Sequence, residues 1–89
     1  MKDLSYTSHV GKNLRDADLS GFDLRRAIFD GADLEGADLS GCDLRNASFK
    51  RANLMKAAFD GADMRGASFI KAKMNDDLRE VLTKKWPRE

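Results

Sequence analysis

From residue 12 onward, a bulky apolar residue falls at every fifth position: Leu14, Leu19, Leu24, Phe29, Leu34, Leu39, Leu44, Phe49, Leu54, Phe59, Met64, Phe69 and Met74. Two residues before each stands a small or apolar one, in the series Ala17, Phe22, Ala27, Ala32, Ala37, Cys42, Ala47, Ala52, Ala57, Ala62, Ala67 and Ala72. Lys12, in the first unit, breaks this second series. Thirteen units, Lys12 to Asp76, keep the phase without an insertion. A period of five fits neither regular element. On an α-helix, five residues rotate the chain by roughly 140°, which would spiral the leucines around every face. On a flat strand, successive leucines would alternate between opposite faces. The chain must therefore turn a corner once per unit and point each central Leu or Phe, with the Ala before it, at a common axis.

A weaker period of twenty gives the number of sides. It stacks Asp23 with Asp43 and Asp63, Arg25 with Arg45 and Arg65, Phe29 with Phe49 and Phe69, and Gly21 with Gly41 and Gly61. Twenty residues are four units, so one coil has four sides. Thirteen units make a little over three coils, about 15 Å long at the spacing of neighbouring strands. The pattern thus predicts an all-β solenoid, a quadrilateral β-helix over 12–76. The residue choices suit it. Ala fits where adjacent coils leave little lateral room, Gly recurs at the corner two after the Leu, and Asp or Asn before the Leu can hydrogen-bond local backbone.

The units ADLSG, ADLEG, CDLRN, ANLMK and ADMRG resemble the A-(D/N)-L-x-x signature of the pentapeptide-repeat proteins, over 65 of the 89 residues. The resemblance implies a right-handed quadrilateral β-helix; the periods alone do not fix the hand. It also implies a binding role, since some members dimerise through their C-terminal ends and some mimic DNA and bind DNA gyrase or related topoisomerases.

A solenoid exposes its core at both ends and needs caps. Asp76 to Trp86 reads as an amphipathic helix with Leu78, Val81, Leu82 and Trp86 on one stripe, so residues 77–89 form a C-terminal helix and tail. Asp77 with Glu80 resembles a capping box, Lys84 and Lys85 suit the negative end of the helix dipole, and Pro87 stops the helix. The stripe either covers the bottom of its own coil or also packs on a second copy, giving a homodimer. Residues 1–11 hold the phase at Leu4 and His9 but not at Tyr6 and Val10, and read as an N-terminal cap or degenerate first coil.

Composition narrows the function. The charged fraction is 35%, yet the net charge is only +1, so no global field favours nucleic acid. Cys42 is the single cysteine, which excludes an intramolecular disulfide. With no signal-like or membrane-spanning apolar run, the expected home is the cytoplasm, without a membrane partner. No cofactor is expected either. His9 is the single histidine and Cys42 occupies an inward Ala site, and neither has the partners of a nucleophile or zinc site. Asp16 to Gly21 mimics the opening of an EF-hand loop, but its twelfth position is Ala27, not the bidentate Glu that calcium requires. The chain is therefore expected not to be an enzyme.

The outward residues segregate by side. One side carries Asp18, Asp38 and Asp60 with no base. The next carries the aspartates 23, 43 and 63 beside Arg25, Arg45 and Arg65. The phenylalanine side carries Lys50, Arg51 and Lys71 against Asp30, with Ile28 and Ile70 exposed, and the fourth side is mixed. The arginine ladder is either a self-neutralising array or a recognition surface. These faces point to a non-enzymatic interaction or scaffold module with an unidentified protein partner; the alternative is a DNA mimic that binds gyrase or topoisomerase. Three acids over a length where duplex DNA presents about six charges weaken that alternative. Without an aromatic platform, Lys50, Arg51 and Lys71 make a poor direct nucleic-acid site.

Overall fold

A corner every five residues leaves no room for a long strand, and the pairing occurs one residue at a time. The computed structural model describes residues 2–85, Lys85 by its backbone alone. Eleven isolated parallel bridges tie it together, each joining residues twenty apart. They fall in four columns: Asp3–Asp23–Asp43–Asp63, Ser8–Ile28–Ser48–Ser68, Asn13–Asp33–Asn53–Lys73 and Asp18–Asp38–Ala58. Phe29 and Phe49 stack with ring centroids 5.0 Å apart, the separation the twenty-residue register requires.

Each unit repeats the same local bonds. Around Leu24, the Leu24 amide donates to the Asp43 carbonyl (2.8 Å) and the Arg26 amide to the Arg45 carbonyl (3.0 Å), both in the following circuit. The Asp43 amide returns a bond to the Phe22 carbonyl (3.1 Å). The corner closes when the Ala27 amide donates to the Leu24 carbonyl at 3.0 Å. The third residue of this turn has positive φ, as in type II turns. The Asp before the Leu completes the corner: Asp23 Oδ1 accepts the Arg25 amide (3.2 Å), and Asp38 Oδ1 likewise accepts the Ser40 amide (2.9 Å). Without that carboxylate, the second amide of the turn would have no protein partner. This is why Asp or Asn precedes so many of the leucines.

The positive-φ corner recurs at every fifth residue from Tyr6 to Lys71. Seven corners are Gly, and the other seven are Tyr6, Asp16, Arg26, Asn46, Arg51, Lys56 and Lys71. A side chain in this region costs about 1–2 kcal/mol that Gly avoids. Gly41→Ala is expected to lose about 1 kcal/mol in urea unfolding, because its φ of 67° is unfavourable for any Cβ. Lys56→Gly at the equivalent corner (φ 61°) should leave stability unchanged or raise it. A larger loss at Lys56 than at Gly41 would show that side-chain contacts, not φ, decide these corners.

The core is the inward Leu, Phe and Ala series: Leu24, Ala27, Leu34, Ala37, Leu39, Leu44, Phe49 and Ala52 are wholly inaccessible. The register starts earlier than the side-chain pattern, since Asp3 and Ser8 already bridge Asp23 and Ile28. The Tyr6 amide donates to the Arg25 carbonyl (2.9 Å). His9 fills the central site of its unit and stacks on Phe29 at 4.9 Å, extending the aromatic column upward. Leu4, Leu14 and Leu19 are only partly buried, because no described residues pack over that end. At that end an inward site need not be small or apolar, and Lys2 and Lys12 occupy two such sites while remaining exposed.

At the other end, helix α1 (Asp76–Lys85) follows directly, with Asp76 and Asp77 in its first turn where the dipole favours anions. Leu78 and Leu82 pack against the core cluster. Val81 is 44% exposed, and Trp86, the last member of the expected stripe, lies outside the described residues, as does Pro87. Asn75 Oδ1, next to the helix start, accepts the Lys56 amide, binding the helix entry to the preceding circuit. Glu80 pairs with Lys84 at 3.0 Å.

Candidate interaction surfaces

A rigid frame of this kind fixes which outward side chains meet. Residues at the same point of successive circuits lie one strand spacing apart, and residues two apart along one side share a face.

On the second side this geometry assembles a continuous acid–base ladder. Arg25 Nε and one terminal nitrogen bond the two carboxylate oxygens of Asp23 at 2.9 and 2.8 Å, and Arg45 holds Asp43 at the same distances. Arg65 grips Asp63 at 2.9 and 2.6 Å. The first two forks also lean on the circuit below, with Arg25 Nε 3.9 Å from Asp43 and Arg45 Nε 4.0 Å from Asp63. The bidentate bond from Arg65 holds the Asp63 carboxyl at about 2. Hydrogen bonds from Arg25 and Arg45 likewise hold Asp23 and Asp43 below the usual carboxylate range, and all three arginines are raised. The three expected arginines are thus brought together, with their charges engaged by their own aspartates.

These shifts set a pH window. A carboxylate with a depressed folded pKa stabilises the fold above its unfolded value, 3.8 here, and that stability is lost as pH falls through the folded value. The contribution of Asp63 should therefore disappear between about pH 4 and pH 2, and those of Asp23 and Asp43 should likewise be lost below about pH 4. The triple variant Arg25→Gln, Arg45→Gln, Arg65→Gln is expected to lower Tm at pH 7 and to move the acid-unfolding midpoint toward pH 4. An unmoved acid midpoint, followed by circular dichroism, would show that the pairs do not support folding.

The other sides differ. Asp18 accepts both the amide and the hydroxyl of Ser20 (3.1 and 2.7 Å), which lower its carboxyl. Asp38 accepts the Ser40 amide, and the column then ends in Ala58. Asp60 sits in the neighbouring column beneath Ser20 and Ser40, so the three acids of this side do not form one ladder. On the fourth side, Arg15 reaches Glu35 (2.9 Å) and Asp33 (3.6 Å), and Asn53 bonds Asp33 and Glu35, both at 3.2 Å. The sequence reading passed over this cluster, although the offset of twenty from Arg15 to Glu35 and from Asp33 to Asn53 marks it. Lys50, Arg51 and Lys71 meet at one exposed corner of the phenylalanine side. Between α1 and the last circuit, an open cleft of about 270 Å³ is lined by Phe59, Met64, Leu78 and Val81.

The single cysteine and the single histidine each have a hydrogen-bond neighbour. Cys42 is buried, donates to the Leu19 carbonyl at 2.9 Å, and burial pushes its thiol up. His9 lies 2.7 Å from the Thr7 hydroxyl; burial and then Lys12 lower its imidazole. Among the described residues, no three His, Cys, Asp or Glu side chains are grouped to hold a metal ion. No described helix is long and apolar enough to cross a membrane.

The family profile described as pentapeptide repeats (8 copies) matches residues 13–46, 32–69 and 47–76. The chain belongs to the pentapeptide-repeat family. Solved pentapeptide-repeat structures resemble it. Rfr23 from the cyanobacterium Cyanothece 51142 is 24% identical over 82% of this chain and 60% of its own, with a TM-score of 0.54. A pentapeptide-repeat protein of the Arabidopsis thaliana thylakoid lumen is 33% identical over 93% of this chain and 75% of its own, with a TM-score of 0.46. QnrB1, a plasmid-mediated fluoroquinolone resistance protein, is 24% identical over 93% of this chain and 42% of its own, with a TM-score of 0.50. This pentapeptide-repeat chain thus spans less than two thirds of Rfr23 and of QnrB1. No curated protein sequence matches it.

Proposed function

We propose that this pentapeptide-repeat chain is a non-enzymatic protein–protein interaction module. In this reading it is a right-handed four-sided β-helix of a little over three coils over 12–76, preceded by an N-terminal cap or degenerate first coil and closed by α1 as its C-terminal cap. The carrying observation is the segregation of charge by side on a frame bonded once per corner. One cation ladder is neutralised in place, an acidic side stands apart, and a basic corner is left open. Such a frame presents fixed charges with little ordering cost on binding, which favours specificity for a complementary protein surface. Affinity capture from the native host with mass spectrometry tests the reading. A reproducible partner released by salt is the expected result, and a purified protein that retains nothing at any ionic strength would sink it.

The second reading, a DNA mimic acting on gyrase or a topoisomerase, draws on the acidic side and on the shared fold with QnrB1. The interruption at Ala58 and the engagement of Asp23, Asp43 and Asp63 by arginine leave it few free charges. Gyrase supercoiling that is unaffected by a large molar excess of this protein would remove that reading for gyrase.

Pairing of two copies through α1 belongs to the same proposal, since Val81 is exposed beside the cleft. Light scattering should then show a dimer that Val81→Asp converts to a monomer.

A further inference from the structure

The corner column Gly11, Gly31, Arg51, Lys71 changes character halfway down. All four have positive φ, at 67°, 70°, 60° and 58°. The first two are glycine, the residue this backbone favours, and a Cβ built on Gly31 meets nothing within 4 Å. Packing therefore does not demand a side chain here, yet the last two circuits carry long cations that are exposed. Strained positions that hold a costly side chain with no packing return cluster at functional sites.

Charge adds a second cost. Arg51 and Lys71 occupy adjacent circuits, Lys50 immediately precedes Arg51, and Lys73 follows two residues after Lys71 on the next side. Among the described residues, none of the four makes an ion pair, whereas Arg25, Arg45 and Arg65 each have a bidentate partner. Asp30, above Lys50 in its column, is turned to Ser48 and the backbone: its Oδ1 accepts the Ser48 hydroxyl and the Lys50 amide, and it makes no ion pair with the four cations. The same fold neutralises one cation column and leaves the other bare. Ile70, directly below Lys50 and immediately before Lys71, is 48% exposed.

We propose that the corner formed by Lys50, Arg51, Lys71 and Lys73 docks an acidic segment of a protein partner, with Ile70 as its apolar contact. The proposal rests on the interaction-module reading and names the partner's chemistry. Carboxylates supply the missing counter-charge, and an apolar side chain of the segment covers Ile70. Nucleic acid fits less well. The phenylalanines of this side point into the stack, and Tyr6 stands in the first circuit at the far corner against Arg26, so among the described residues bases find no platform beside the cations.

The test uses a short fluorescent Asp/Glu-rich peptide carrying a central Leu, titrated beside duplex DNA and single-stranded RNA of equal charge. The wild type should bind the peptide saturably, more weakly as salt rises. Arg51→Gly with Lys71→Gly should weaken binding about tenfold or more. Its Tm should be unchanged or higher, because glycine is the residue this column carries at 11 and 31. Ile70→Ser should weaken the peptide with the salt dependence retained. Three outcomes would overturn the proposal: no saturable peptide binding, equal affinity in the double-glycine variant, or nucleic acid bound as tightly as the peptide. Using both proteins as capture baits separates the two levels. A partner retained equally by both removes the corner but keeps the module, and no partner on either bait removes the module.

Discussion

Phe49→Ala is expected to lower the stability of this protein by about 4 kcal/mol. Phe49 is wholly buried and central in the aromatic stack, with Phe29 at 5.0 Å above, Phe69 at 5.2 Å below and Phe59 edge-on at 6.1 Å. Removing the ring costs its transfer free energy, its contacts with three rings, and the cavity left behind. Backbone circuits bonded above and below at 2.7 and 2.8 Å cannot collapse into that cavity. A domain of this size has about 5–15 kcal/mol in total, so the variant should be largely unfolded in mild urea. Phe69→Ala should cost roughly half as much, because Phe69 is only partly buried at the end of the column. Urea unfolding followed by circular dichroism checks both, and equal losses at the two positions would contradict the stacked-column account.

Ala37→Leu is the second large effect, at about 3 kcal/mol. Ala37 is wholly buried; its amide donates to the Leu34 carbonyl across the corner, and its carbonyl accepts the Ala58 amide, both at 2.9 Å. Three added carbons have no lateral space between circuits one strand spacing apart, and the bonds on both sides oppose separation. The same inward site tolerates Phe22, which is only partly buried and has Lys2 over its ring at 5.3 Å near the open end. Ala17→Leu, also at that end and partly buried, should therefore cost under about 1 kcal/mol. If thermal unfolding ranks Ala17→Leu as costly as Ala37→Leu, crowding between circuits is not what selects alanine.

Much of this was legible in the chain. The five-residue phase exists because each unit must return one large and one small apolar side chain to the axis, and that demand is written in residue type. The twenty-residue register follows, because columns of like residues such as Phe29, Phe49 and Phe69 form only when whole circuits superimpose. The start of the register at Asp3 was harder to see. Its evidence is backbone pairing, which Lys2, Tyr6 and Val10 do not advertise, and an end without a neighbour relaxes the demand for small apolar residues. Glycine corners pointed to positive φ, but the seven corners without glycine take the same backbone only because the hydrogen bonds around them enforce it.

The sequence by itself determined the inside of this protein: which residues face the axis, how many sides surround it, and where the corners fall. These depend on apolar burial and repeat length, both local in the chain. The tertiary structure decided how the outer charges pair, because that depends on rotamers within one side and on distances between circuits. It engaged Arg25, Arg45 and Arg65 with their aspartates, joined Arg15 to Glu35, and left Arg51 and Lys71 without a counter-charge among the described residues.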